Sequence, residues 1–311
     1  MTKMKVVILG ASGMLGSMVA EWFSRQAAFD TAATVRTPAL AEEWRRRVPS
    51  VEWRVLDAES VEAPGIADAL GGAVWAVNAI GVIKPYIHDD NAAEVERAVC
   101  VNALFPHLLA RAAEATGCRV LQIATDCVYS GAKGGYVEAD KQDALDVYGK
   151  TKSLGEVWSG SVFHLRASII GPEPKAHVSL LDWFLGQKKD AAVNGFTNHQ
   201  WNGVTTLHFA RLCHGIITHE FGALPHLQHA VPTGSISKAE LLQCFAREYG
   251  RGDVRISPVE AKTVIDRTLA TSDAELNRRL WALSGYATPP SVPEMIAELA
   301  AVRRLAGNGG N

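Results

Sequence analysis

Short, continuously apolar runs alternate through the first half of the chain with longer stretches whose apolar side chains recur every three or four positions. Lys5–Leu9, Thr31–Val35, Val51–Leu56, Ala73–Ala79, Arg119–Ala124 and Val162–Ile170 read as strands, several of them apolar on both faces. Met14–Gln26, Ala39–Val48, Ile66–Leu70, Asn91–Thr116 and Val147–Trp158 read as the helices between them. In the first of these, Met14, Leu15, Met18, Val19, Trp22 and Phe23 share one side. Strands that alternate with helices in this way predict an α/β fold with a doubly wound parallel sheet.

After Gly171-Pro172 the rhythm degrades. Pro172, Pro174, the charges of Lys188–Asp190 and the Gly195–Gly203 turn region predict an irregular segment facing a ligand. Leu207–His219 reads as a helix and His226–Val231 as a further strand. Ser237–Tyr249 opens on a capping box, Ser237 with Glu240, before an apolar stripe. Pro289, Pro290 and Pro293 introduce a last helix, Glu294–Leu305, and Gly307–Asn311 reads as a tail. We expect a dinucleotide-binding domain over 1–171, with 204–231 returning to it. A substrate-binding region would comprise 172–203 and 232–311.

Composition narrows the function classes. The formal charge of −2, from 31 basic and 33 acidic residues, supplies no field for nucleic acid or an anionic membrane. Five cysteines without CxxC spacing argue against a disulfide framework or zinc site and for a reducing compartment. The first apolar run is too short for a signal segment, and none approaches the length of a membrane span. The expectation is a soluble, cytoplasmic protein. His177, His199, His208, His214 and His219 lack metal-ligand spacing with carboxylates, so no catalytic metal is expected.

Gly10-Ala-Ser12-Gly13-Met14-Leu15-Gly16 follows the first strand and opens the first helix. Glycines are required where the chain turns tightly, where backbone meets a pyrophosphate and where helix packs on strand. The helix N-terminus supplies free N–H groups for the phosphates. A tight turn in an unrelated α/β domain is the alternative. In this context the loop predicts a Rossmann-type doubly wound sheet, with a smaller, partly discontinuous C-terminal substrate domain. An acid at the end of the second strand would bond the adenosine ribose and repel a 2′-phosphate. Here Arg36 stands in Ala33-Thr34-Val35-Arg36-Thr37, without a carboxylate, which favours NADP(H) and keeps NAD(H) as the alternative. Asp57, ending the third strand, is placed either to meet the adenine edge or to cap the next segment.

The fifth strand ends in Thr125-Asp126, where open α/β sheets bind ligands, although either residue would serve as a simple cap. Tyr148 and Lys152 come later, one helical turn apart, a spacing common on solvated helices.

Taken together, GASGMLG (10–16), VNAIG (77–81), VNALFPHLLARAA (101–113), ATDCVYSGAKGGYVEAD (124–140), VYGKTKSLGE (147–156) and FHLRASIIGPE (163–173) change those odds. The sequence resembles the extended short-chain dehydrogenase/reductases, and among them the dTDP-4-dehydrorhamnose reductase family. PTGSISKAELL, 232–242, is a later echo. The resemblance implies hydride transfer from a nicotinamide to the ketone of a nucleotide-linked 4-keto-6-deoxy sugar. Tyr148 would be the proton donor, Lys152 the ammonium that lowers its pKa and bonds the nicotinamide ribose, and Thr125 the holder of the carbonyl oxygen. Asn78, Ala79 and Gly81 would line the cofactor, Arg166 and Ser168 would lie near its nicotinamide end, and Asn102 would order backbone or water near Lys152.

Two departures stand out: Ala124 replaces the family's serine, and Cys127 its aromatic. Cys127 reads as a pocket wall beside Asp126. The segment Asn194–Thr206 departs most, at the place where the family binds nucleotide and sugar. Trp201 is expected to stack on a ring, and Asn198 and Asn202 to bond sugar hydroxyls, unless this is a glycine-bounded loop anchored by its tryptophan. Two other readings stay open: an epimerase or dehydratase that retains NAD, and a non-catalytic NADP-binding accessory subunit. The oligomeric state, a homodimer included, is not decided by the sequence.

Overall fold

The structure, a computed structural model, describes residues 2–60, 62–175, 177–219 and 224–307; residues 308–311 of the expected tail lie outside them. Seven parallel strands form the central sheet. In chain order the elements are β1 (Met4–Leu9), α1 (Met14–Ser24), β2 (Phe29–Val35), α2 (Pro38–Arg47), β3 (Glu52–Val55), α3 (Ala63–Leu70), β4 (Trp75–Asn78), α4 (Ala92–Ala98), α5 (Phe105–Thr116), β5 (Arg119–Ala124), α6 (Val147–Leu154) and β6 (Val162–Arg166). They continue with β7 (Ile169–Ile170), α7 (Leu180–Leu185), β8 (Ala192–Phe196), β9 (Gln200–Trp201), β10 (Val204–Thr205), α8 (Thr206–Thr218), β11 (Leu227–His229), β12 (Ile236–Ser237), α9 (Lys238–Glu248), β13 (Arg255–Val259), α10 (Ala274–Leu283) and α11 (Val292–Gly307). The sheet order is β11-β6-β5-β4-β1-β2-β3, so the winding reverses beside β1 and leaves a crevice beyond the strand ends.

Successive side chains of a strand point to opposite faces, and both faces are covered here. Val6, Ile8, Ala33 and Val77 pack into one core with α1 and α8, whereas Val7, Leu9, Ala32 and Ala76 pack with α3 and α5. His214, on α8, sits edge-on to Phe23 and Phe29 at 5.7 and 5.5 Å between ring centres, as a core histidine. Among the described residues no helix is long and apolar enough to cross a membrane.

Two expected elements are broken. The single helix Asn91–Thr116 is α4 and α5 joined by a π-helical stretch, Val99–Leu104. Pro106 has no N–H to give, so the regular bonding pattern cannot run through it. The Asn102 carbonyl instead meets Gly155 so closely that a Cβ there would lie 2.0 Å from it. Gly155 also ends α6 at Leu154, short of the expected Trp158. The sixth strand stops at Arg166, and Ile169–Ile170 turns away to pair with Val204–Thr205.

Beyond this break, small two-stranded pieces carry the chain. β12 pairs antiparallel with β9, and β13 parallel with β8. Ser237 closes its capping box with Glu240 at the start of α9. Glu138, from the GGYVEAD segment, ties the C-terminal part to the sheet edge. Its carboxylate accepts from the His229 amide (3.0 Å), the Thr271 hydroxyl (2.8 Å) and the Ser272 amide (2.9 Å). Burial pushes this carboxyl up, but the Ser272 and His229 amides outweigh it and hold the pKa at about 2. A carboxyl whose folded pKa is depressed stabilises above its unfolded pKa, and that stability is lost as pH falls through the folded value. Glu138→Gln is therefore expected to lower the melting temperature at neutral pH and to flatten the acid limb between about pH 4.5 and about pH 2. Thermal melts at several pH values check this.

Candidate active site

A cleft of about 750 Å³ runs along the carboxyl ends of the strands. The β1–α1 loop forms one wall. Gly10 adopts a left-handed φ of 80°, and a Cβ there would lie 2.8 Å from Ile80 Cγ1. Gly16 packs so tightly that a Cβ would lie 2.3 Å from the Gly10 carbonyl oxygen. The loop is pinned by Gly10 N to Thr34 Oγ1 (3.1 Å) and Ala11 N to the Thr34 carbonyl (2.8 Å). Gly13 is the N-cap of α1, no side chain caps its first amides, and no acid stands in the first turn. Those amides and the helix dipole suit an anion such as a pyrophosphate. Gly10, Ser12, Gly13, Met14 and Leu15 line the cleft, whereas Gly16 lies behind it. Gly16→Ala is expected to push the loop apart at a cost of about 1–3 kcal/mol and to weaken dinucleotide binding at least tenfold. A titration with NADP⁺ measures this.

Arg36 and Asp57 line the cleft at the ends of β2 and β3. The Asp57 carboxylate accepts from the Glu59 amide (3.1 Å), so it caps its own turn. Ala79 and Gly81 follow β4 into the cleft. Asn78 does not reach it: fully buried, it donates to Gln122 (3.2 Å) and accepts from the Ile80 amide (3.1 Å), shaping the strand end from behind. Asn102 is also buried, and its amide clamps both polar backbone atoms of Val82, at 2.8 and 2.9 Å. Val82 is a wall residue, so Asn102 orders backbone at the cleft from within the π-helical stretch.

Thr125, Asp126, Cys127, Tyr148, Lys152 and Ser168 converge where β5, α6 and the end of β6 meet. Asp146 caps α6 through the Gly149 amide (2.8 Å) and pairs with Lys84 (2.7 Å), which presents Tyr148 and Lys152 on the cleft side. The Thr125 hydroxyl accepts from the Cys127 amide (3.2 Å) and donates to Asp126 (3.3 Å). Lys152 Nζ donates to the Ile123 carbonyl at 3.3 Å. Burial lowers its pKa to about 8, with Glu156 one turn further on pulling the other way.

The electrostatics correct one expectation. The Tyr148 pKa is raised on balance, not lowered: burial first, then the neighbouring Cys127, push the phenol above its ordinary value despite the nearby Thr125 hydroxyl. Lys152 is buried and Tyr148 partly buried, and the ammonium turns to a backbone carbonyl. Tyr148 is accordingly protonated at neutral pH. Burial and then the Asp126 charge push the Cys127 thiol up to about 12, which makes it a poor nucleophile. Asp126 is itself raised by burial, against the opposing charges of Arg267 and Lys238.

Four further expectations are corrected by placement. Trp201 is packed in the core, 5% exposed, with its indole N–H on Ser168 Oγ (2.9 Å), and has no face free to stack on a ligand. Asn202 spends its amide on both backbone atoms of Leu269, at 2.6 and 2.9 Å. Asn198 does the same with Ala261, at 2.8 and 2.9 Å. These three brace the C-terminal segment; the glycine-bounded anchor is the form the loop takes. Arg166 is fully buried behind the strand end, paired with Glu156 and bonded to the Tyr129 hydroxyl (2.6 Å) and His229 (3.0 Å). Its guanidinium fills the interior because β6 ends there and the chain turns before Ser168.

Glu59, Arg97, Lys84 and Lys175 also line the cleft and were missed. Glu59 lies two residues after Asp57 in VLDAES, a signal the sequence carried. For Arg97 no spacing pointed to the site.

The protein is an oxidoreductase of the extended short-chain dehydrogenase/reductase type. The family model described as RmlD substrate binding domain matches residues 4–304, and the chain belongs to that family. A dTDP-4-dehydrorhamnose reductase of Mycobacterium tuberculosis is 25% identical over 302 residues, covering 90% of this chain and 87% of the relative. Among solved structures, the fold matches dTDP-4-dehydrorhamnose reductase of Bacillus anthracis in complex with NADP (TM-score 0.73, 18% identity, 97% and 100% of the two chains). It also matches UDP-glucuronic acid 4-epimerase of Bacillus cereus in complex with UDP-glucuronic acid and NAD (TM-score 0.72, 15% identity, 97% and 100%).

Proposed function

We propose that the protein reduces the ketone of a nucleotide-linked 4-keto-6-deoxy sugar, with NADPH as the preferred reductant and dTDP-4-dehydrorhamnose as the leading substrate. The observation that carries this reading is the meeting of Thr125, Tyr148 and Lys152 in one cleft with the glycine loop and Arg36. A bound NADPH would supply the hydride. Gly13 and the first amides of α1 hold its pyrophosphate, and Arg36 takes the 2′-phosphate. Thr125 and Tyr148 hydrogen-bond the ketone oxygen, and the Tyr148 hydroxyl, kept protonated by burial, delivers the proton as charge develops there. Lys152 holds the nicotinamide ribose and offsets the charge left on Tyr148. The domain roles expected from the sequence fit this reading: the sheet with its returning strand β11 binds the dinucleotide, and 172–203 with 232–311 closes over the sugar.

The test is consumption of NADPH, followed by absorbance, with dTDP-4-dehydrorhamnose and with UDP- and GDP-linked 4-keto sugars. Turnover with the dTDP sugar is expected. Absence of turnover with every 4-keto nucleotide sugar would reject the proposal.

A further inference from the structure

The end of β2 carries no acid, yet the tertiary fold delivers one to it. The turn after β3 places Glu59 Oε1 3.3 Å from Arg36 Nη1. The same oxygen accepts from Arg97 Nε, on α4, at 2.7 Å. One carboxylate oxygen thus bridges two guanidiniums that are far apart in sequence. All three side chains line the cleft, and at 51%, 35% and 37% exposure for Arg36, Glu59 and Arg97 they are open to water and to ligands.

A guanidinium has five N–H donors, and Glu59 engages a single nitrogen of each. Ion pairs this exposed hold weakly. A phosphate with nearly two negative charges and three acceptor oxygens is a stronger partner for paired arginines than one carboxylate. It must still displace the Glu59 charge or lie against it. An unphosphorylated ribose demands no such exchange and leaves the bridge in place.

We propose that Glu59 is an internal competitor for Arg36 and Arg97, and that it sets the ratio in which the protein takes 2′-phosphorylated and unphosphorylated dinucleotides. The inference rests on the dinucleotide-binding reading above and adds two specificity residues to it: Arg97 as a second 2′-phosphate ligand, and Glu59 as the group that moderates both arginines. Cofactor preference is then graded, with the acid missing from β2 supplied from the next crossover.

The test is a binding titration that needs no sugar. NADP⁺ and NAD⁺ are titrated against the wild-type chain and the variants Glu59→Gln, Arg97→Gln and Arg36→Gln by calorimetry, with 2′-AMP and 5′-AMP as displacing probes. The preference ratio, Kd for NAD⁺ over Kd for NADP⁺, is expected to rise about five- to tenfold in Glu59→Gln and to fall by at least that factor in each arginine variant. The displacement ratio of 2′-AMP to 5′-AMP should move in the same sense. Retained NAD⁺ binding reports a folded site in every variant. A ratio within about twofold of wild type in Glu59→Gln or in Arg97→Gln overturns the proposal. A wild-type chain that binds neither dinucleotide overturns the functional reading, and this inference with it.

Discussion

Tyr148→Phe is expected to lower kcat for ketone reduction by about 10²- to 10⁴-fold while NADP⁺ binding persists. The substitution removes one hydroxyl and keeps the ring that lines the cleft, so the loss reports the proton and not the pocket. The pH profile separates the two partners. Burial raises the Tyr148 pKa, so the phenol remains protonated throughout the neutral range. Burial lowers Lys152 to about 8, so its ammonium is lost first as pH rises. Reduction should accordingly decline through about pH 8, well before the tyrosine ionises. Rates measured from about pH 6 to about pH 10 test this, and a profile flat across that range removes the Lys152 charge from the mechanism. A Tyr148→Phe protein that turns over as fast as wild type would remove Tyr148 from the proton path.

The second large effect is on stability. Arg166→Met is expected to cost about 3–5 kcal/mol, because it leaves Glu156 as a buried charge without its main partner. Arg166 is fully buried, and the Glu156 side chain is only 8% exposed. Gln142 donates to the other carboxylate oxygen at 2.6 Å, which satisfies a hydrogen bond without neutralising the charge. Adding Glu156→Gln to Arg166→Met should recover a large part of the loss, since the buried charge disappears with its partner. Urea melts of both proteins decide the matter, read as midpoints at equal slope. A loss below about 1 kcal/mol in the single variant would mean that water reaches Glu156.

The same residue shows where reading from sequence stops. Arg166 stands at the end of an apolar strand, and the family pattern places it beside the cofactor. Its actual partners, Glu156, Tyr129 and His229, come from three separate segments, brought together only when β5, β6 and β11 pair. Trp201 obeys the same logic. An aromatic in a polar, glycine-bounded loop looks like a ligand platform, and whether its face is free depends on β9 pairing with β12 and on Ser168 arriving beneath the indole.

The grouping of Thr125, Tyr148 and Lys152 was implied by the family resemblance; by itself the sequence determined most strands and helices of the first half and the glycine loop. Each of these is encoded in periodicity or spacing within one or two neighbouring elements, where side-chain direction is set by backbone geometry. The π-helical stretch at Val99–Leu104, the burial of Trp201 and Arg166, and the arrival of Glu59 beside Arg36 were decided only by the tertiary structure. They depend on which crossover lies next to which and on how closely two backbones approach. The order of strands in a sheet sets those distances, and no local pattern records it.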